Sequence, residues 1–185
     1  RSHGLQLVAN VGDTLMPLWY DTRYPHGRFY PGARELVLAL GRRHARSAHL
    51  ITSKTDAISP VPAAGNGSDP LLASCTLPPI TVDATRRSSL PTLRKLRVLA
   101  PELPMLLLGD TAQHDASAFL AMRALHPAAV RAVLLHDPTE EALCGDGQDK
   151  MLLERTPQLA TFRTYCGAAA AAADMCLLPL EECAE

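Results

Sequence analysis

Short apolar runs alternate with amphipathic stretches along this chain, and that alternation predicts its elements. Residues 5–11 are apolar except for Gln6 and Asn10, which predicts a strand. Residues 16–30 are irregular and carry Trp19, Tyr20, Tyr24, Phe29 and Tyr30. Pro31-Gly32 then leads into a helix over 33–43, with apolar positions at 36, 37, 38 and 40. A second strand is expected at 48–51, a short one at 80–83 and a long apolar one at 105–108. Residues 90–99 read as a helix with Leu90, Leu93 and Leu96 on one face and Arg94, Lys95 and Arg97 away from it. A helix over 116–125, a strand over 130–135, a closing strand over 158–164 and an Ala-rich helix over 168–177 complete the series. Pro60, Pro62, Gly65, Gly67 and Pro70 make 54–70 a loop, and Gly145 and Gly147 break the mixed stretch 140–153. Strands alternating with helices predict an α/β fold in one domain over 1–185, a mainly parallel sheet with helices on both faces.

Composition narrows the class. The 185 residues are 47% hydrophobic and 20% charged, ordinary for a globular chain, but only 4% aromatic, so Leu, Ala and Val must fill the core. A formal charge of −1 does not indicate direct nucleic-acid contact. Cysteines at 75, 144, 166, 176 and 183 form no Cys-x-x-Cys pair, which favours packed thiols in a reducing, intracellular compartment. No run approaches the roughly 18 apolar residues of a membrane span. The chain begins at Arg1 rather than Met, so a trimmed chain or a fragment is expected, and import into an organelle such as the mitochondrion is compatible with it.

Two segments carry candidate chemistry. Gly109-Asp110-Thr111-Ala112-Gln113-His114-Asp115 follows the apolar run Met105-Leu106-Leu107-Leu108, which places Asp110 at the carboxyl end of a strand. Open α/β sheets bind their ligands there. The counterpart near the N-terminus is Asn10-Val11-Gly12-Asp13-Thr14, again after an apolar strand. Asp110 and Asp115 are candidate metal ligands, but the plainer reading has them capping the following helix. His114, four residues beyond a turn-borne Asp110, reads as solvent-facing, and Asp13 and Thr14 as shaping their turn. The aromatics of 19–30 are expected to close one end of the sheet. Arg42-Arg43-His44-Ala45-Arg46 suits a solvated helix end, and Cys166 and Cys176 read as packed thiols flanking the last helix.

In this order the residues resemble the catalytic domain of the actin-patch-associated phosphatidate phosphatases, a branch of the haloacid dehalogenase superfamily. Phe29-Tyr30-Pro31-Gly32-Ala33-Arg34-Glu35-Leu36 resembles the approach to that family's first helix, and Thr52 falls at the Ser or Thr of its second motif. Residues 109–115 resemble its fourth motif, and Phe162-Arg163-Thr164-Tyr165 its closing strand and helix. The resemblance implies a Rossmann-like fold without a large cap domain. The family's first motif is Asp-x-Asp-Asp-Thr, in which the first Asp attacks phosphorus and binds Mg²⁺ and the second moves the proton. Here Asn10 and Gly12 stand in those two places, so a neutral amide replaces the nucleophile and no side chain is left to transfer a proton. The third-motif Lys falls near Ser88 or Ser89, with Lys95 too far along the helix and Arg86 and Arg87 as alternatives.

On this resemblance Asn10, Gly12, Asp13, Thr14, Thr52 and Ser89 are vestigial positions. The chain is expected to be a silent phosphatase-like domain without a cofactor. It would serve as a structural or scaffolding subunit among protein partners in a larger protein or ribonucleoprotein assembly. Two alternatives stand beside this. One is a working Mg²⁺-dependent phosphatase of phosphatidate or another phosphomonoester, using Asp13 or Asp110 in new roles. The other is a module that binds phosphate or phospholipid at a helix N-terminus without cleaving it.

Overall fold

The computed structural model describes residues 4–18, 21–26, 28–52, 80–84, 89–138 and 157–179. Six strands pair in the order β3-β2-β1-β4-β5-β6, and every pairing is parallel. They are β1 (Leu5–Asn10), β2 (Ala45–Thr52), β3 (Ile80–Ala84), β4 (Met105–Asp110), β5 (Val130–His136) and β6 (Leu159–Phe162). The helices are α1 (Ala33–His44), α2 (Leu90–Leu99), α3 (Asp115–Leu125) and α4 (Tyr165–Asp174). This is a Rossmann-like α/β sheet.

Side-chain alternation divides the core into two layers. Leu5, Leu7 and Ala9 of β1, Leu106 and Leu108 of β4, and Ala132 and Leu134 of β5 face α1 and α4. Val8, Leu107, Val133 and Leu135 face the opposite way, against Leu93 and Leu96 of α2 and Phe119 and Met122 of α3. β1 and β4 are buried along their whole length, as parallel strands covered on both faces must be.

The two polar residues of β1 each have a physical reason. Gln6 is buried and its Nε2 donates to the carbonyl oxygen of Ala100 at 3.0 Å, with Leu103 O at 3.4 Å and Leu96 O at 3.5 Å. One side chain in the central strand thus ties β1 to the C-cap of α2 and to the turn that follows it. Asn10 ends the strand and belongs to the site described below.

Several boundaries differ from the sequence expectations. β2 begins at Ala45, directly where α1 ends, rather than at 48, because backbone pairing to β1 recruits Ala45 and the polar Ser47, with Arg46 at a register shift between them. β4 runs on to Asp110 rather than stopping at 108, so that residue closes the strand, as the apolar run before it implied. β6 stops at Phe162 and α4 starts at Tyr165, three residues before the expected 168, because the Thr164 side chain accepts from Gly167 N–H at 3.2 Å and caps the helix there. That earlier start leaves Cys166 on the outer side of α4's first turn, and Cys176 follows the helix at φ 56°. Both thiols are exposed, not packed. The expected loop at 54–70, the stretch 140–153 and the question of a cap lie outside the described residues.

Gly32 precedes α1 at φ 83°, a conformation that favours glycine. The turn it makes sets Tyr30 in the core, its ring 4.5 Å from that of His136 and 6.2 Å from that of Tyr165 between centroids. Tyr24 meets Tyr30 edge-on at 5.4 Å, so Tyr30 packs at the carboxyl end of the sheet with Tyr24 against it, whereas Trp19 and Tyr20 lie outside the described residues. Asp21, buried, holds Arg23 through two hydrogen bonds of 3.0 and 2.8 Å, and Arg23 reaches Pro138 O at 3.2 Å. Burial alone would raise the Asp21 carboxyl, but Arg23 outweighs it and holds it below the usual value.

Candidate functional site

The sheet order runs outward from β1 and β4, so the chain reverses direction between them. In an open α/β sheet that switch point opens a crevice at the carboxyl ends of the strands. Asn10 and Asp110 are the last residues of these two neighbouring strands.

Beyond Asn10 the chain makes a tight loop. Leu15 and Met16 both donate backbone N–H to Val11 O, at 2.9 and 3.0 Å, and Asp13 N–H returns to Met16 O at 2.7 Å. Asp13 takes the left-handed conformation, φ 53°, which Asp tolerates better than most residues. Its Oδ1 accepts from Leu18 N–H at 2.9 Å and its Oδ2 from the Gln113 amide at 3.2 Å, so one carboxylate ties the first loop to the loop after β4.

Asp110 and Asp115 meet at the centre, with 0% and 5% exposure. Asp110 Oδ1 accepts from Gln113 N–H at 2.7 Å, and its Oδ2 from Thr14 Oγ1 at 3.3 Å and Asn10 Nδ2 at 3.2 Å. Asp115 Oδ2 accepts from the same Asn10 nitrogen at 2.6 Å, and its Oδ1 from Ser89 Oγ at 3.2 Å. The amide of Asn10 therefore bridges both carboxylates. Its orientation is fixed from the other side, because Oδ1 accepts from Val11 N–H at 2.8 Å.

The helices next to this cluster lack side-chain caps. Ser89 sits at the N-cap of α2 and His114 at that of α3, and neither side chain accepts a capping bond. A serine cap is worth about 1 kcal/mol. Ser89 directs its hydroxyl to Asp115 instead. Asp115 does not cap α3 as the sequence suggested, since it lies inside the first turn with its carboxylate turned towards β1. Asp110 comes nearer to the expectation, because it accepts a backbone N–H from the first residues before α3. His114 is exposed, as expected.

Burial pushes the Asp110 carboxyl well above its usual value, and the neighbouring Asp115 charge pushes it further. Burial also raises Asp115, against the opposing hydrogen bonds from Asn10 and Ser89. Both carboxyls are already engaged with donors.

The arrangement does not fit Mg²⁺. A hard cation takes oxygen ligands, whereas the atom set between the two carboxylates is an amide nitrogen. Among the described residues no group of three or more His, Cys, Asp or Glu is placed to hold a metal ion.

Of the positions singled out in the sequence, Asn10, Asp13, Thr14, Ser89, Asp110 and Asp115 come together. Gly12 lies in the same loop, its carbonyl 3.5 Å from the Gln113 amide. Thr52 ends β2 paired with Ala84, two strands from β4. Lys95 is exposed on α2, and 85–88 lie outside the described residues.

Other residues had no role assigned from the sequence. Gln113 links the two loops. His136 pairs with Asp110 across β4 and β5, and its ring Nδ1 stands 2.6 Å from Asp13 O, so that nitrogen carries the proton and donates. Tyr165 donates its hydroxyl to Thr14 O. Asp137 accepts from Thr111 Oγ1 at 3.4 Å and faces Arg163 at 3.6 Å. One signal was available for two of them, because His136-Asp137 follows an apolar strand just as Asn10 and Asp110 do.

No family model, curated protein or solved structure matches this chain.

Proposed function

We propose that this domain is a phosphatase-like fold of the haloacid dehalogenase type that has lost its chemistry and serves as a structural, scaffolding subunit of a larger assembly. The observation that carries the reading is the double hydrogen bond from the Asn10 amide to Asp110 and Asp115. In a working phosphatase of this type the first strand would end in a nucleophilic carboxylate beside a divalent cation. Here an uncharged side chain ends the strand, and its NH₂ group faces the carboxylates that a cation would otherwise neutralise. Gly12 supports the same reading, since it carries no group to protonate a leaving alcohol or activate water.

Loss of such a nucleophile costs about 10⁶ in rate, and loss of general acid–base help about 10²–10⁴. The two overlap, and either would silence an ordinary phosphatase. What remains is a rigid sheet whose site residues hold loops together, and docking is a role such a frame supports.

The test is phosphate release by the purified protein in excess Mg²⁺, on a generic phosphomonoester and on phosphatidate. The unaltered chain is expected to release none above the buffer rate. Chelator-sensitive turnover would overturn the proposal.

A further inference from the structure

All strands are parallel, so they begin at one pole of the sheet, and the helices that follow them end at that same pole. Arg42 and Arg43 of α1, Arg97 of α2 and Arg123 of α3 stand there, each in the last turn of its helix. Arg46 near the start of β2 and Arg131 near the start of β5 join them. A helix dipole favours cations in a last turn, which accounts for the first four but not for the two on strands. Arg97 donates to Pro101 O and Arg131 to Met175 O, at 3.4 Å for Arg131; a carbonyl leaves the charge of its donor in place.

The acids are arranged the other way. Among the described side chains no Lys or Arg is buried, whereas Asp13, Asp21, Asp110, Asp115 and Asp137 all are, around the carboxyl ends of the strands. The exposed carboxylates of the described surface are Glu35, Glu102 and Asp174, and only the last two stand at the amino pole. The formal charge of −1 for the whole chain therefore conceals a basic pole.

Apolar side chains gather at the same pole. Four large hydrophobic side chains are exposed among the described residues, and one of them, Tyr24, packs on Tyr30 at the carboxyl end. The other three are Val98 at 77%, Leu99 at 70% and Leu125 at 53%. They end α2 and α3, which lie on one face of the sheet, and they flank Arg97 and Arg123 in sequence. A single exposed aliphatic side chain is ordinary, but three collected among arginines mark a contact surface.

We propose that this pole docks on an anionic lipid bilayer, its arginines on headgroup phosphates and Val98, Leu99 and Leu125 entering the interface. That occupant uses both the charge and the aliphatics. A nucleic-acid backbone would take the arginines and leave the aliphatics in water. A folded protein would need a cavity matched to side chains that protrude this far, whereas a headgroup layer yields around them. Among the described residues no helix is long and apolar enough to cross a membrane, so the contact is with the surface. The inference goes beyond the scaffold reading and stands apart from the silent site. The six residues of β1 separate the two poles by about 20 Å.

The test is flotation of the full chain with vesicles, one set of phosphatidylcholine alone and one with about 30 mol% phosphatidylserine. The protein is expected to float with the anionic vesicles and stay behind with the neutral ones. Raising salt from about 0.1 to 0.5 M should release it. Val98→Ser with Leu99→Ser should lower the partition coefficient about tenfold, at an unchanged melting temperature because both side chains lie outside the core. Arg97→Gln should lower it about fivefold. Arg28→Gln, exposed in the segment between β1 and α1 at the opposite pole, should leave it unchanged.

Four results overturn the proposal: no flotation with anionic vesicles, equal flotation with neutral ones, a serine variant that floats like the unaltered chain, or equal losses from Arg97→Gln and Arg28→Gln. Tighter binding to a duplex RNA than to the anionic vesicles, at equal phosphate concentration, overturns it too. Phosphatase turnover with flotation intact would remove the silent-site reading alone, and silence without flotation would remove the docking alone.

Discussion

The side-chain nitrogen of Asn10 lies 2.6 Å from Oδ2 of Asp115, across 105 residues of sequence, and 3.2 Å from Oδ2 of Asp110. One amide thus joins the ends of β1 and β4 to the first turn of α3. Two buried carboxyls so close together need a cation, a proton or a donor between them, and this chain provides a donor.

Asn10→Asp removes that donor and brings a third carboxylate to the cluster. A hydrogen bond to a charged group is worth about 1.5–3 kcal/mol, and like-charge repulsion adds to the loss. At about 2–4 °C per kcal/mol for a domain of this size, the melting temperature is expected to fall by about 5–10 °C. The fold should survive, since the apolar layers on both faces of the sheet are untouched. With three carboxylates facing inward, Mg²⁺ should raise the variant's melting temperature by mass action and leave that of the unaltered protein unmoved. Differential scanning calorimetry with and without Mg²⁺ checks this, and an unshifted variant would contradict the bridging role.

Two glycines near the site should respond unequally. A Cβ at Gly109 would stand 2.6 Å from Cε2 of Phe119 and 2.8 Å from Cβ of Asp115, both set by the packing of α3 on β4. Gly109→Ala should therefore cost about 1–3 kcal/mol and shift Asp115 within the cluster. A Cβ at Gly12 would meet only Cδ1 of Leu18, at 2.9 Å, the far end of a flexible side chain. Gly12→Ala should cost at most about 1 kcal/mol. Urea denaturation of the two variants measures the difference, and equal losses would show that the Gly12 loop is as constrained as the strand. Backbone geometry does not demand glycine at 12.

His136 sets a pH dependence. Burial lowers its pKa from the ordinary 6.5, despite a raising contribution from the Asp13 carbonyl. Asp21 and Arg23 oppose each other on it. His49 is also lowered by burial. For a group depressed on folding, the unfolded chain binds more protons below 6.5, so stability falls as pH drops from 6.5 towards the folded values. Asp110 and Asp115 act with the opposite sign, because their raised pKa values make the folded state bind more protons above 3.8. Their part therefore favours the fold as pH falls. The slope of melting temperature between about pH 7 and 5 is the difference between these opposing contributions, and His136→Asn should remove part of the component that falls with pH, leaving a smaller decline or a larger rise towards pH 5. A slope unchanged by that substitution would contradict the assignment to His136.

Much of the fold was legible in the sequence because the core strands are long apolar runs. Residues 105–108 and 130–135 announced β4 and β5, and the leucine spacing of 90–99 announced α2. Ala45-Arg46-Ser47 could not announce its part of β2, since pairing with β1 rather than apolar content makes it a strand. Thr164 hid the start of α4, because a cap is read with certainty only when its hydroxyl is seen to meet an N–H. In the site, the residue types at 10–14 and 110–115 were legible. The bridge was not. Asn10, Ser89 and Asp115 meet only because β1 lies beside β4 in the sheet and because Ser89 and Asp115 forgo helix capping. The roles of Gln113 and Tyr165 were hidden for the same reason, as both act on backbone or side chains about a hundred residues or more away.

The most direct test of the account is the Asn10 side-chain amide in a ¹H–¹⁵N spectrum, assigned by its disappearance in Asn10→Asp and followed through a Mg²⁺ titration. A bridging amide locked between Asp110 and Asp115 predicts a well-separated, slowly exchanging NH₂ pair whose positions do not move as Mg²⁺ is added. A saturable displacement of that pair, with Mg²⁺-dependent phosphate release in the same sample, would show a cation entering between the carboxylates and would contradict it.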